Sequence, residues 1–465
     1  GHYDYEALRD NSTTSNNVAI GLSALQESNA SGNVAIGANA MRGSTGTPIT
    51  GGENVAIGSS SLKFNIGGTA NAAFGKGSLG SNTEGNYNSA IGKGSLNDNT
   101  EGSNNTATGY FSLVNNTTGN DNSAFGSEAL TSNTQGNYNT AIGSLSLANN
   151  TAGESNTAIG FQSMIENTTG SFNTAVGDTA LANNTTGSNG TAIGMYSLFS
   201  NTTGNFNTGL GKKTLYSNTT GGYNTATGFE ALYNNTSAIG NTANGYQSMA
   251  LNTTGGANTA MGTLSLSGNV SGNNNVAVGY EAGYDSIGSG NTFIGHSSGK
   301  SIASGENNVI IGYNSCNNSL NYSSASNLLC IGSNGNNLIT GNFASGIVVL
   351  GNGSGYTHVD GDLYVSGTVF EGQTPSSGTS DDNTSSDDSG QSGSSSGNDD
   401  AGTARAADSG GKTTDGAVEP GVGGDEGPRH GSGDTVQDEI DKYARLNKIP
   451  FLGICFGMQM AVIEF

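Results

Sequence analysis

Residues 156–172 read NTAIGFQSMIENTTGSF, and the chain repeats this pattern with a fixed step. The glycine closing the NTAIG box, Gly160, has counterparts every 17 residues from Gly58 to Gly279, among them Gly92, Gly109, Gly126, Gly143 and Gly177. Four residues before it stands an asparagine (Asn88, Asn105, Asn122, Asn139, Asn156, Asn173), and directly before it an apolar residue, usually Ile or Val. Four residues after it comes Leu or Met, as at Leu96, Leu147 and Met164. A second asparagine column from Asn82 to Asn269 follows, then a threonine column from Thr83 to Thr253 and a turn glycine such as Gly102 or Gly119. A period of this size, held without slippage, means a stack of like supersecondary units, each resting on its neighbours.

Seventeen residues with a short β-competent box, one Leu and an NTTG turn are too few for the helix of a βαβ crossover. They predict an all-β chain, a parallel β-solenoid or β-roll of about 20 coils over residues 16–351, rising roughly 4.8 Å per coil. Asparagine above asparagine can pass side-chain amide hydrogen bonds along the stack. The glycines are expected at corners, with positive φ. One Ile and one Leu per coil make a thin core, so hydrogen bonds between coils and burial against other chains have to contribute.

The boxes NNVAIG (16–21), NVAIG (33–37) and NVAIG (54–58) resemble the head repeats of trimeric autotransporter adhesins. The longer NTAIG…NNTTG form resembles repeats in tail-fibre-like and surface proteins of phages, large viruses and bacteria. The period here is longer than in the best-known adhesin heads. Over about residues 16–351 the resemblance implies a parallel β-roll with three chains packed side by side. It also implies a non-enzymatic surface fibre or adhesin, extracellular or on a cell or virion surface, with a host glycan, matrix or protein receptor as partner.

Of the 465 residues 77 are glycine, none is tryptophan, and the net charge is −22. Glycine-rich composition usually signals low complexity, but the periodicity places this region among ordered repeats. The acidic balance argues against nucleic-acid backbones and anionic membranes as partners, and no stretch is long enough to insert in a bilayer. Cys316 falls in the Leu column and Cys330 in the Ala position of its box, so both are expected as small core residues rather than redox or metal groups. His2, His296, His358 and His430 lack metal-ligand spacing, and no metal or cofactor is expected. Gly295–Ser301 imitates the end of a phosphate loop but is one residue short of the required spacing. No signal peptide is visible and the chain begins with glycine, which leaves export open.

Outside the repeats, residues 1–15 read as a polar lead-in. Residues 352–370 read as connector or capping strands: Val359, Leu363, Val365 and Val369 alternate as in a capping hairpin, and the stretch also resembles the connector before a tail-fibre chaperone. Residues 371–435, acidic and rich in Ser, Gly and Asp, read as a disordered linker. Residues 436–465 read as a short α/β fragment with a helix at 436–447, a strand at 450–454 and an elbow at Gly453-Ile-Cys-Phe-Gly457. This fragment resembles the nucleophile region of the glutamine amidotransferase domain of CTP synthases, which makes Cys455 the counterpart of the attacking thiolate. In that family the histidine base and its carboxylate follow the nucleophile, and this chain ends at Phe465, so Cys455 is expected to be catalytically inert.

Two surface columns carry aromatic residues. Tyr110, Phe161, Phe229, Tyr246 and Tyr280 follow their box glycines and form a candidate ligand surface; Tyr87, Tyr138, Phe172, Phe206 and Tyr223 form the second column. Such columns suit glycan or receptor binding, or packing against a neighbouring chain. An ice-binding solenoid is the alternative, because Thr140, Thr157, Thr174, Thr191, Thr208, Thr225, Thr242 and Thr259 also align. A two-wide array needs Thr-x-Thr, however, which occurs at Thr106/Thr108 and Thr225/Thr227. Sequons such as Asn116-Thr-Thr, Asn167-Thr-Thr and Asn184-Thr-Thr fall on the second asparagine ladder, whose period accounts for them.

Overall fold

A computed structural model describes residues 7–9, 14–44, 46–317 and 322–350. The expectations for residues 352–370, 371–435 and 436–465, Cys455 included, lie outside the described residues, as does most of the 1–15 lead-in. Eighteen three-residue strands run from β1 (Val18–Ile20) to β18 (Val309–Ile311), including β8 (Thr140–Ile142), β9 (Thr157–Ile159) and β14 (Thr242–Asn244). Each pairs in parallel with the next, in register: Thr140 faces Thr157, Ala141 faces Ala158, and Ile142 faces Ile159. This is the parallel β-solenoid that the repeat dictates, one strand and one set of turns per coil.

Backbone pairing between coils continues outside the strands. Thr83 donates its N–H to Thr100 O of the next coil (3.0 Å), whereas Tyr87 donates to Thr69 O of the previous one (3.0 Å). Turn N–H groups are thereby satisfied on both sides, which a chain with so little apolar core requires.

The core departs from the expected Ile and Leu. Buried residues are the central Ala of most strands (Ala90, Ala141, Ala158), the Leu or Met column, and both asparagine columns. The Ile before the box glycine faces outward: Ile91 is 49% exposed and Ile142 is 41% exposed. The reason is the two-residue period of an extended chain. Asn88 points inward, so Ala90 does too, and Ser89 and Ile91 must point out. An interior crossed by two asparagine ladders holds a methyl group at that point and little more.

Positive φ is not confined to glycine either. Leu96 (φ 51), Leu147 (φ 51) and Met164 (φ 52) are left-handed, as are Gln162 (φ 53) two residues before Met164 and Tyr138 (φ 58) before its strand. A left-handed L-residue costs roughly 1–2 kcal/mol. Burying the Leu side chain and bonding its N–H to the adjacent coil, as Leu96 does to Ser112 O at 3.0 Å, offset that cost.

Toward the C-terminal end the core is rebuilt with different sizes. Phe293 takes the place of the strand Ala and is fully buried, while the neighbouring Leu positions are Gly283 and Gly299. A Cβ on either glycine would meet the Phe293 ring at 2.4 Å, so one large side chain fills the room of two leucines. Gly209 shows the same compensation on a smaller scale: its missing Cβ leaves space for Thr214 Oγ1, 2.8 Å from where that atom would be.

Eighteen parallel coils, close to the expected count of about 20, precede a change of topology. Strand β19 (Leu328–Ser333) still adds in parallel to β18, but β20 (Asn336–Asn342) and β21 (Ile347–Leu350) return antiparallel as a meander. The antiparallel turn-back terminates the stack. Cys316 and Cys330, expected as separate core residues, form a disulfide with Cα atoms 6.4 Å apart. The Leu column of one coil abuts the Ala column of the next, so two cysteines at those positions in the last coil and in β19 meet and bond. A cross-link closing a loop of this size contributes about 3 kcal/mol.

Candidate functional site

Three features of the coil surface are candidates for a functional role: the outward face of the strands, the columns flanking it, and the turn side. On the strand face each coil presents two side chains, the Ala, Ser, Thr or Val that starts the strand and the residue that ends it. The second column runs through Ile57, Phe74, Ile91, Phe125, Ile142, Ile193, Met261 and Ile294, all substantially exposed. It is an apolar line along the strand face, interrupted at Thr108, Thr227 and Asn244. The Thr140–Thr259 column lies beside it, half-buried for most of its length.

The five aromatic residues after the box glycines are brought onto one column but not into one surface. Phe229 and Tyr246, in adjacent coils, stack at 5.6 Å with planes 11° apart. Tyr280 stacks on His296 at 4.9 Å, and His296 meets Tyr313 at 5.1 Å. Tyr110 leans on Phe111 at 4.2 Å, with Lys93 Nζ 5.3 Å from its ring centre. Phe161 stands between Ser144 and Asp178 of the adjacent coils. Rings stacked along the axis cover one another's faces and offer edges to solvent.

A third aromatic column escaped the sequence reading. Phe199, Tyr216 and Tyr233 stack at 5.2 and 5.1 Å with planes 8° and 4° apart, and Tyr196 packs edge-on against the first two. Lys213 lies 5.8 Å from the Tyr233 ring centre and 3.7 Å from the Glu230 carboxylate. The available signal was the recurrence of aromatics five residues after three successive box glycines.

The asparagines form two different ladders. In the first, Asn105 donates its backbone N–H to Asn88 Oδ1 (2.9 Å) and Asn88 Nδ2 donates to Gly102 O (2.8 Å). The same backbone bond recurs at Asn122, Asn139, Asn156 and Asn173. In the second, amide bonds to amide, as Asn116 Nδ2 does to Asn99 Oδ1 at 2.7 Å. Asn116, Asn167 and Asn184 are completely buried, so these sequon nitrogens are occupied by the ladder and shielded from any glycosyl transfer to the folded chain.

Among the described residues Glu281, Lys300 and Asp285 form a charged cluster. Lys300 Nζ bonds Glu281 Oε2 at 2.5 Å, and this bond holds the Glu281 carboxyl below its ordinary pKa and the Lys300 ammonium above its own. Loss of hydration pushes the Asp285 carboxyl up. Among the described residues no group of three or more His, Cys, Asp or Glu is placed to hold a metal ion, and no helix is long and apolar enough to cross a membrane.

Comparison with known proteins bears on the far end of the chain. Residues 418–465 match the family glutamine amidotransferase class-I, starting within the stretch read as linker. The CTP synthase of Pelagibacter ubique is 82% identical over 27 residues, 6% of this chain and 5% of that protein. The CTP synthase of Methanocaldococcus jannaschii is 55% identical over 53 residues, 11% of this chain and 8% of that protein. That of Bacillus thuringiensis is 54% identical over 54 residues, 11% and 9% of the two chains. The chain thus spans less than a tenth of the length of these relatives. No solved structure matches it.

Proposed function

We propose that this chain is a non-enzymatic surface fibre or adhesin whose solenoids associate as a homotrimer through their strand faces and present their outer columns to a glycan or protein receptor. The observation that carries this reading is the apolar line from Ile57 to Ile294. Covering a half-exposed apolar side chain on most coils contributes on the order of 1 kcal/mol each, repeated along the stack. The Cys316–Cys330 disulfide supports an oxidising, extracellular setting.

Sedimentation equilibrium of the intact chain should give three times the 46.5 kDa chain mass. The combined variant Ile91→Asp, Ile142→Asp, Ile193→Asp should sediment as a folded monomer, since the same column already carries Asn244 in β14. A monomeric parent chain at micromolar concentration would refute the trimer. Ice binding is the second reading, favoured by the threonine column on the same face. Freezing-point hysteresis in a monomeric preparation would move the assignment there.

The amidotransferase-like stretch contributes no glutaminase activity in this proposal. A thiol nucleophile acts through a histidine base and its orienting carboxylate, and the stretch that resembles the CTP synthases covers 5–9% of their length. Glutamine hydrolysis by the intact chain should equal that of Cys455→Ala, at background. Ammonia release that disappears in the variant would overturn the non-enzymatic reading.

A further inference from the structure

We propose that Tyr138, Ser155 and Phe172 form a slot for one pyranose ring of an uncharged or amino-sugar polysaccharide. These residues occupy the same column in three successive coils, each left-handed, with φ of 58°, 55° and 60°. Where the column carries aromatics in adjacent coils, Phe206 and Tyr223, the rings stack at 4.9 Å with planes 15° apart. Two such steps place the Tyr138 and Phe172 rings about 10 Å apart, with the small Ser155 between them. A planar aromatic ligand sandwiched at van der Waals contact needs about 7 Å between the flanking rings and would be loose there. A pyranose, thicker by its axial hydrogens, packs a C–H face against each ring. In the same column Phe206 also lies two coils from Phe172, but the larger Asn189 stands between them where Ser155 stands in the slot, and Tyr87 lies three coils from Tyr138, too far to share a single ring.

The rings are available and the polar groups are set. Tyr138 is 64% exposed and Phe172 62% exposed. Beside the slot, Asn137 Nδ2 bonds Glu154 Oε1 at 3.1 Å, and Ser171 Oγ accepts the Glu154 N–H at 3.0 Å. This fixed amide, carboxylate and hydroxyl row can pair with sugar hydroxyls, as in sites where stacking supplies contact and a few polar groups fix orientation. The nearest charges in the two columns, Glu154 and Asp121, are acidic and disfavour anionic glycans. The slot deepens the receptor-binding part of the fibre reading but does not depend on the trimer, whose mass is measured separately.

The test is binding of the intact chain to cellohexaose, chitohexaose and an immobilised panel of neutral, amino and acidic oligosaccharides. Binding is expected to the neutral or amino members, with a loss of about 10-fold for Tyr138→Ala or Phe172→Ala. Ser155→Tyr should abolish binding without unfolding, because Tyr87 and Tyr223 already occupy this column at φ of 57° and 58°. Tyr223→Ala, in the closed stack, should leave binding unchanged. No binding to any member, a preference for acidic members, or full binding by Ser155→Tyr would each overturn the proposal, whatever the sedimentation result.

Discussion

Gly160→Ala should split the cooperative melting of the solenoid into two transitions and lower the first of them steeply. Gly160 sits at φ +136, a conformation essentially reserved for glycine, and a Cβ there would lie 2.3 Å from Gly177 O of the next coil. The obstacle is backbone, held by Gly177 N–H bonding to Ile159 O at 2.8 Å, so it cannot rotate aside. Dihedral strain and this collision together should cost more than about 4 kcal/mol, the range of the most severe single substitutions. Because each coil contacts just its neighbours, the damage falls on one interface and uncouples the coils on either side. Gly240→Asn is the matched control. Its φ is +75, a Cβ would find its nearest neighbour at 3.9 Å, and Asn104, Asn189 and Asn274 hold the equivalent position. That variant should melt within about 0.5 kcal/mol of the parent. A single unshifted transition for Gly160→Ala in calorimetry would show that the close approach of the glycine column is not what sets the coil spacing.

Asn167→Ala should destabilise the stack by about 3–6 kcal/mol, although it removes no apolar contact. Asn167 Nδ2 donates to Asn150 Oδ1 (2.7 Å) and Gly170 O (3.0 Å), and its Oδ1 accepts from Asn184 (2.8 Å). All of these groups are buried, and water cannot replace the missing amide without opening the coil. Truncation therefore leaves Asn150 Oδ1 without its donor and one Asn184 amide N–H without its acceptor, while Gly170 O keeps the bond from Asn156 Nδ2 (2.9 Å), and the ladder is cut on both sides. Denaturant unfolding followed by circular dichroism measures the loss; a change under about 1 kcal/mol would mean the ladder is incidental to stability. The converse is Gly190→Asn. Gly190 interrupts the first ladder, yet its N–H already bonds Asn173 Oδ1 at 2.8 Å, as the ladder asparagines do. A side chain there would face Asn207 and reach Gly204 O, adding hydrogen bonds and removing glycine entropy, for a gain of about 1–2 kcal/mol.

The sequence by itself determined the fold class, because a 17-residue step kept over many units leaves one economical geometry: each residue stacks on its equivalent in the next coil. Both asparagine columns were legible on the same ground. The direction of the box Ile was also recoverable, since that column varies from Ile to Phe, Thr, Asn and Met while the Ala before it hardly changes. Hydrophobicity pointed the other way, and the reading followed it.

Tertiary structure decided what depends on neighbours more than one residue type can report. Leucines at φ near 50° have no local sequence mark, because burial and bonding to the adjacent coil hold them there. The pairing of Cys316 with Cys330 required knowing that the Leu column of one coil meets the Ala column of the next. Whether an aromatic column offers ring faces or edges depends on which coils carry the rings. Adjacent coils, as at Phe206 and Tyr223, close the stack, and a coil left between Tyr138 and Phe172 opens it. Periodicity fixes which residues share a column, whereas the narrow interior and the distance between coils fix which way they point and what they touch.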